Sequence, residues 1–120
     1  MPEEVSLFSV EERITLYLIS LKIYPCLSGF YFLKEAIKNF YTKGAKTKSI
    51  NNVLYKEISI IFNNDCEFID CKMRHAIQSA SKRNGFYKFG EKFNCKTKNM
   101  LPSPKELIIA IAIKLSKEAC

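Results

Sequence analysis

The sequence predicts an all-α fold, a single compact domain of about six helices containing a helix-turn-helix. Three observations predict it. Apolar residues recur at i, i+3, i+4 and i+7 in successive segments, no segment alternates as a strand does, and two amphipathic segments are joined by only a pair of asparagines.

The first helix is expected to open at Ser9-Val-Glu-Glu12, a capping box in which the Ser hydroxyl and the Glu carboxylate each satisfy a free amide. It would run to about Lys22, with Ile14, Tyr17, Leu18 and Leu21 on one face. Residues 1–8 then form an extension. Pro25 is expected to end the helix, since proline lacks an amide and forces its predecessor out of the helical region. Gly29 follows in the turn.

A second helix, Phe30 to Thr42, carries Phe30, Leu33, Ala36, Ile37, Phe40 and Tyr41 in one stripe, with Lys34, Glu35 and Lys38 outside it. Lys43 to Lys48 reads as a basic loop with Gly44 as a C-cap. The third helix, about Ser49 to Phe62, repeats the pattern through Ile50, Val53, Leu54, Ile58, Ile61 and Phe62.

Only Asn63 and Asn64 separate it from Asp65, the expected N-cap of a helix through Arg83. At about 100° per residue this helix has an apolar face of Cys66, Ile69, Met73, Ala76, Ile77 and Ala80. Glu67, Asp70, Cys71, Arg74 and Gln78 form the opposite face. Gly85 reads as its stop. Two helices joined by so short a turn form a helix-turn-helix, in which the second can enter the major groove while the first braces it. An αα-hairpin without a ligand gives the same pattern.

Phe86 to Phe93 reads as a short helix with aromatics inward and lysines outward, and residues 94–102 as a loop. Ser103-Pro-Lys-Glu106 is a second capping box with proline at the first helical position. The final helix runs to about Lys117, burying Leu107, Ile108, Ile111, Ala112 and Leu115, with Ile109 and Ile113 widening the stripe. Helix this apolar suits the core or a dimer contact.

At 120 residues the chain is one domain, and 48% hydrophobic with 12% aromatic content excludes a disordered class. The longest apolar run, Leu107 to Ile113, is far short of the ~20 residues that span a bilayer. With an acidic N-terminus unlike a signal peptide, this gives an expected cytoplasmic location without membrane association. Net charge is +7, carried by sixteen Lys and three Arg, and suits a polyanionic partner. Residues 82–98 hold a net +5 of it, around the end of the Asp65–Arg83 helix.

Enzymatic chemistry is not expected. There is one His, no nucleophile motif, no Gly-rich phosphate loop and no pair of carboxylates in acid and base roles. The cysteines are odd in number without a C-x-x-C pair, so reduced thiols are expected. Cys71 and His75, one turn apart, have the chemistry of metal ligands together with Cys95, but zinc sites pair two close sets and only one exists. No metal, cofactor or small-molecule substrate is expected.

Gly29-Phe-Tyr-Phe-Leu-Lys-Glu-Ala-Ile37, Val53-Leu-Tyr55 and Arg74-His-Ala-Ile77 stand, in register, as they do in the C-terminal effector domain of the master response regulator of sporulation in endospore-forming bacteria. The chain resembles that domain from roughly Ile14 to Ala119. The resemblance implies a six-helix domain that binds double-stranded DNA at short promoter sites, as a homodimer or in tandem copies, with the Asp65–Arg83 helix as reader. Members of that family usually carry an N-terminal phosphoacceptor domain as well, and with only about a dozen residues before the first expected helix none is expected in this chain.

The departures shape the expected specificity. Where the family has an acidic residue followed by a base-reading Arg, this chain has Asp70 and Cys71. Phe68 replaces another Arg. An Arg donates two hydrogen bonds to a guanine edge, worth ~1–3 kcal/mol of discrimination, and a thiol does not replace them. Glu67 and Asp70 add negative charge on the face that approaches phosphates. The expected DNA-binding residues are Asp70, Cys71, Arg74, His75, Gln78, Lys82 and Arg83, with Arg74 the leading base or phosphate contact. His75, Lys82 and Arg83 are expected at phosphates. Lys105 is expected at a distant helix start, away from this face.

The function expected is a DNA-binding transcriptional regulator of altered or relaxed specificity. The alternative is a degenerate module that no longer binds DNA and modulates a full-length regulator through protein contacts. Basic segments 43–48 and 82–98 on the same side as Arg74 would favour the first.

Overall fold

Five helices stand among the described residues of the computed structural model, which are 3–42, 52–86 and 101–119. They are α1 (Glu3–Ser20), α2 (Ser28–Thr42), α3 (Asn52–Phe62), α4 (Cys66–Ser81) and α5 (Pro104–Ala119). No strand occurs among the described residues. The expected helix over 86–93 and the basic loop over 43–48 lie outside them, apart from Phe86, which is buried.

The fold is organised around α2, which packs against all four other helices. Its predicted stripe is the reason. Phe30, Leu33, Ala36, Ile37 and Phe40 are buried, and Phe32 joins them from beside the stripe. Each fully buried side chain of this size contributes roughly 1.5–3 kcal/mol, so this one face accounts for much of the cohesion. Ile14 and Leu18 of α1, Leu21 in the turn just past its end, Ile58 of α3, and Leu107, Ile108, Ile111 and Leu115 of α5 close around it. Ile113 does not: it is exposed on α5. On the surface, Lys38 of α2 pairs with Glu11 of α1 at 2.9 Å. The hydrogen bond from Lys38 holds the Glu11 carboxyl below its ordinary range, and Glu11 in turn raises Lys38.

Three helices end in the same way. Lys22, Asn63 and Asn84 have positive φ, of 66°, 54° and 59°. The residue after each then donates back to a carbonyl of the last turn: Ile23 to Leu18 at 2.9 Å, Asn64 to Ser59 at 3.2 Å and Gly85 to Ala80 at 2.9 Å. This is the Schellman arrangement. Asparagine tolerates the left-handed region well, and lysine adopts it here without that advantage.

Several boundaries differ from the sequence reading. α1 begins at Glu3, so the Ser9-Glu12 box lies inside the helix and residues 3–8 belong to it. No proline or glycine stands between Glu3 and Ser9 to interrupt a helix. α1 stops at Ser20 through the turn at Lys22, before Pro25 is reached. Gly29 lies in the first turn of α2, not in the loop before it. A Cβ at Gly29 would stand 2.8 Å from the Ala76 Cβ and would collide with the Lys72 carbonyl oxygen, so glycine lets α2 approach α4. Gly85 stops no helix by its own φ. That role falls to Asn84, and Gly85 admits the Leu21 carbonyl oxygen where a Cβ would clash with it.

Candidate nucleic-acid interface

The joint between α3 and α4 is built by short polar side chains. Ser59 Oγ donates to the Asn64 carbonyl at 2.5 Å, and Asn64 Nδ2 donates to the Phe62 carbonyl at 3.0 Å. Asp65 Oδ1 then accepts from the Phe68 amide at 2.7 Å as the N-cap of α4. Replacing such a cap typically costs ~1 kcal/mol. The two helices are thus fixed at both sides of a three-residue turn, the helix-turn-helix that the spacing predicts.

α4 divides as its periodicity requires. Ile69, Met73, Ala76, Ile77 and Ala80 are buried, whereas Glu67, Cys71, Arg74, His75 and Gln78 are exposed. Cys66, expected on the apolar face, is only partly buried. Phe68 is 41% exposed, packs edge-on against Phe32 at 6.2 Å and lies beneath the Lys72 ammonium at 5.4 Å. Its apolar ring is therefore held against the core.

A short polar chain crosses from α3 to the outer face. The Tyr55 hydroxyl donates to Asp70 Oδ1 at 3.3 Å, and Arg74 Nε donates to Asp70 Oδ2 at 2.7 Å. Tyr55 is only 7% exposed. Burial, reinforced by the Asp70 carboxylate, pushes its phenol up to about 12. The hydrogen bond from Arg74 to Asp70 raises the guanidinium further above its ordinary range, so it is a permanent cation.

Asp70, Cys71, Arg74, His75 and Gln78, five of the seven predicted contact residues, line one open groove of 590 Å³. Tyr55, Cys66 and Glu67 contribute to the same lining. Lys105 does as well, which corrects the expectation that it lies far from this face. α5 starts beside α4, and the second position of α5 turns its side chain into the groove. Nothing local in the sequence signals this, because the contact joins residues some thirty positions apart. The box that positions Lys105 was legible: the Ser103 amide donates to Glu106 Oε1 at 3.0 Å and the Glu106 amide to Ser103 Oγ at 3.2 Å.

Lys82 and Arg83 do not line the groove. Lys82 is exposed beyond the end of α4. Arg83 folds back over the Tyr24 ring, 5.5 Å from its centroid, with Nη1 at 3.3 Å from Ser79 Oγ. The remainder of the basic stretch through residue 98 and the 43–48 loop lie outside the described residues.

Among the described residues, no group of three or more His, Cys, Asp or Glu is placed to hold a metal ion, and Cys95 lies outside them. None of the described helices is long and apolar enough to cross a membrane. Residues 14–115 match a family model described as the sporulation initiation factor Spo0A C terminal.

Proposed function

Because the chain belongs to the sporulation initiation factor Spo0A C-terminal family, the DNA-binding effector domain of the sporulation regulator, we propose that it binds duplex DNA by placing α4 in the major groove. The observation that carries this is the common groove. The outer face of α4 and Lys105 of α5 border the same open surface, so one docked duplex meets both. Arg74 is the leading contact to a base edge, and His75 and Gln78 stand within reach of the same groove. Lys105 takes a phosphate across from them.

The code differs from one built on two arginines at positions 68 and 71. Cys71 offers a weak donor in place of a bidentate fork, so readout rests on Arg74 and is altered or relaxed. Phosphate contacts then supply most of the affinity, which makes binding steeply dependent on salt. Arg83 reaches a phosphate only after leaving Tyr24, and Lys82 needs no such change.

The test compares Arg74→Ala with Lys117→Ala, which removes the same charge twelve residues along α5 from Lys105, ~18 Å of helix rise away. Loss of at least tenfold in binding for the first with little change for the second supports the reading. Equal effects would remove the role assigned to Arg74. A second reading, a protein-interaction module, draws on Ile60 and Ile61 of α3, which are 80% and 54% exposed. Failure to bind any duplex would favour it.

A further inference from the structure

We propose that Tyr55 is a positioning residue for Arg74, acting through Asp70, so that the bracing helix sets the aim of the reading side chain. The inference rests on the DNA-binding reading and deepens it.

The geometry is a two-bond relay. Asp70 uses its two oxygens on different partners: Oδ1 accepts from Tyr55 at 3.3 Å, and Oδ2 accepts from Arg74 Nε at 2.7 Å. The partners differ in freedom. Tyr55 is buried on α3, and its ring cannot swing out without opening the core, whereas Arg74 is exposed, its side chain 58% so. An isolated i, i+4 pair on a helix surface is weakly held, because both side chains exchange among rotamers. Anchoring the carboxylate from a second helix removes that freedom on one side. Arg74 is then tethered by its Nε, which leaves both Nη groups as the outward fork.

The Tyr55 ring is buried with the core, and its hydroxyl is the part that reaches across to α4. The hydroxyl has one partner identified on the groove side, the acid that holds Arg74. Its placement is therefore explained by orientation of Asp70. The same relay sets the Asp70 carboxylate between two donors, one on each of its oxygens.

The test uses the full chain and the conservative change Tyr55→Phe, which removes one oxygen and keeps the ring. The first readout is the Arg74 Nε–Hε signal in a proton–nitrogen spectrum of the free protein, assigned by its disappearance in Arg74→Lys. Tyr55→Phe is expected to shift it toward the position of the exposed arginines and speed its exchange with water. An unmoved signal overturns the relay. The second readout is the ratio of affinities for a selected duplex and a scrambled one. Tyr55→Phe is expected to lower that ratio about three- to tenfold with scrambled-duplex affinity unchanged. In an Arg74→Ala background it should lower it no further, as expected of residues acting through one contact. A further loss there would mean that Tyr55 acts on general packing, which also overturns the proposal. A selective parent chain with an equally selective Tyr55→Phe sinks the relay alone. A parent chain with no selectivity sinks the DNA-reading proposal and the selectivity role of Tyr55 with it.

Discussion

Arg74 Nε lies 2.7 Å from Asp70 Oδ2, one turn away on α4, and this pair sets the character of the outer face. On sequence alone, Glu67 and Asp70 place two negative charges where phosphates should approach. In the folded chain Asp70 is opposed by a guanidinium and hydrogen-bonded to Tyr55, so the repulsion is largely confined to Glu67. At this exposure the pair adds only ~0.3–0.5 kcal/mol to the helix. Its effect is on where the arginine points.

Lys105→Ala is expected to weaken selected and scrambled duplexes alike, since a lysine at a phosphate carries no sequence information. The slope of log affinity against log salt should fall by about 1. Titrations across a salt series check both. A loss confined to the selected duplex would place Lys105 at a base instead.

Cys71→Arg should create a preference for a guanine-containing site, worth ~1–3 kcal/mol of discrimination. The position is exposed and lines the groove, so the longer side chain meets no core atom. A panel of duplexes differing at one base pair measures it. Unchanged selectivity would show that α4 docks in another register.

Gly29→Ala separates helix propensity from packing by sign. Propensity favours alanine in a helix by up to ~1 kcal/mol. The collision with the Lys72 carbonyl and the 2.8 Å approach to the Ala76 Cβ oppose it, and overpacking of this kind costs about 1–3 kcal/mol. Net destabilisation in urea unfolding is the expected result, and stabilisation would mean that α2 and α4 are not in such close contact.

The Tyr55 phenol makes stability depend on alkaline pH. Its folded value is raised to about 12, against an ordinary value near 10. Between these the unfolded chain releases the proton while the folded chain retains it. Stability is therefore intact below pH ~10 and falls as pH rises toward 12, by on the order of 2 kcal/mol. Other groups titrate there too, so the measurement is the difference between parent and Tyr55→Phe, whose alkaline loss should be smaller by about that amount. Parallel profiles would contradict burial of a protonated phenol.

What was legible in the sequence was local. The Asp65 cap, the two-asparagine turn and the two faces of α4 follow from spacing within a few residues, and the Ser103 box formed both of its bonds. The start of α1 was not, because S-x-x-E marks a helix start only where nothing upstream is already helical. Nor was the end of α1, where Lys22 adopts a conformation usually signalled by glycine or asparagine. Groove membership was legible for Arg74, His75 and Gln78, which share one helical face. It was not for Lys105, whose position depends on how α5 returns past α4. Tyr55 stood within a matched motif, but only the fold shows its hydroxyl reaching Asp70.

The most direct test of the central claim is selection from a randomised duplex library by the purified chain at two salt concentrations, followed by sequencing. An enriched motif and an affinity that falls steeply as salt rises are expected. Binding without an enriched motif would contradict readout by Arg74, and no binding even at low salt would contradict the DNA-binding function itself.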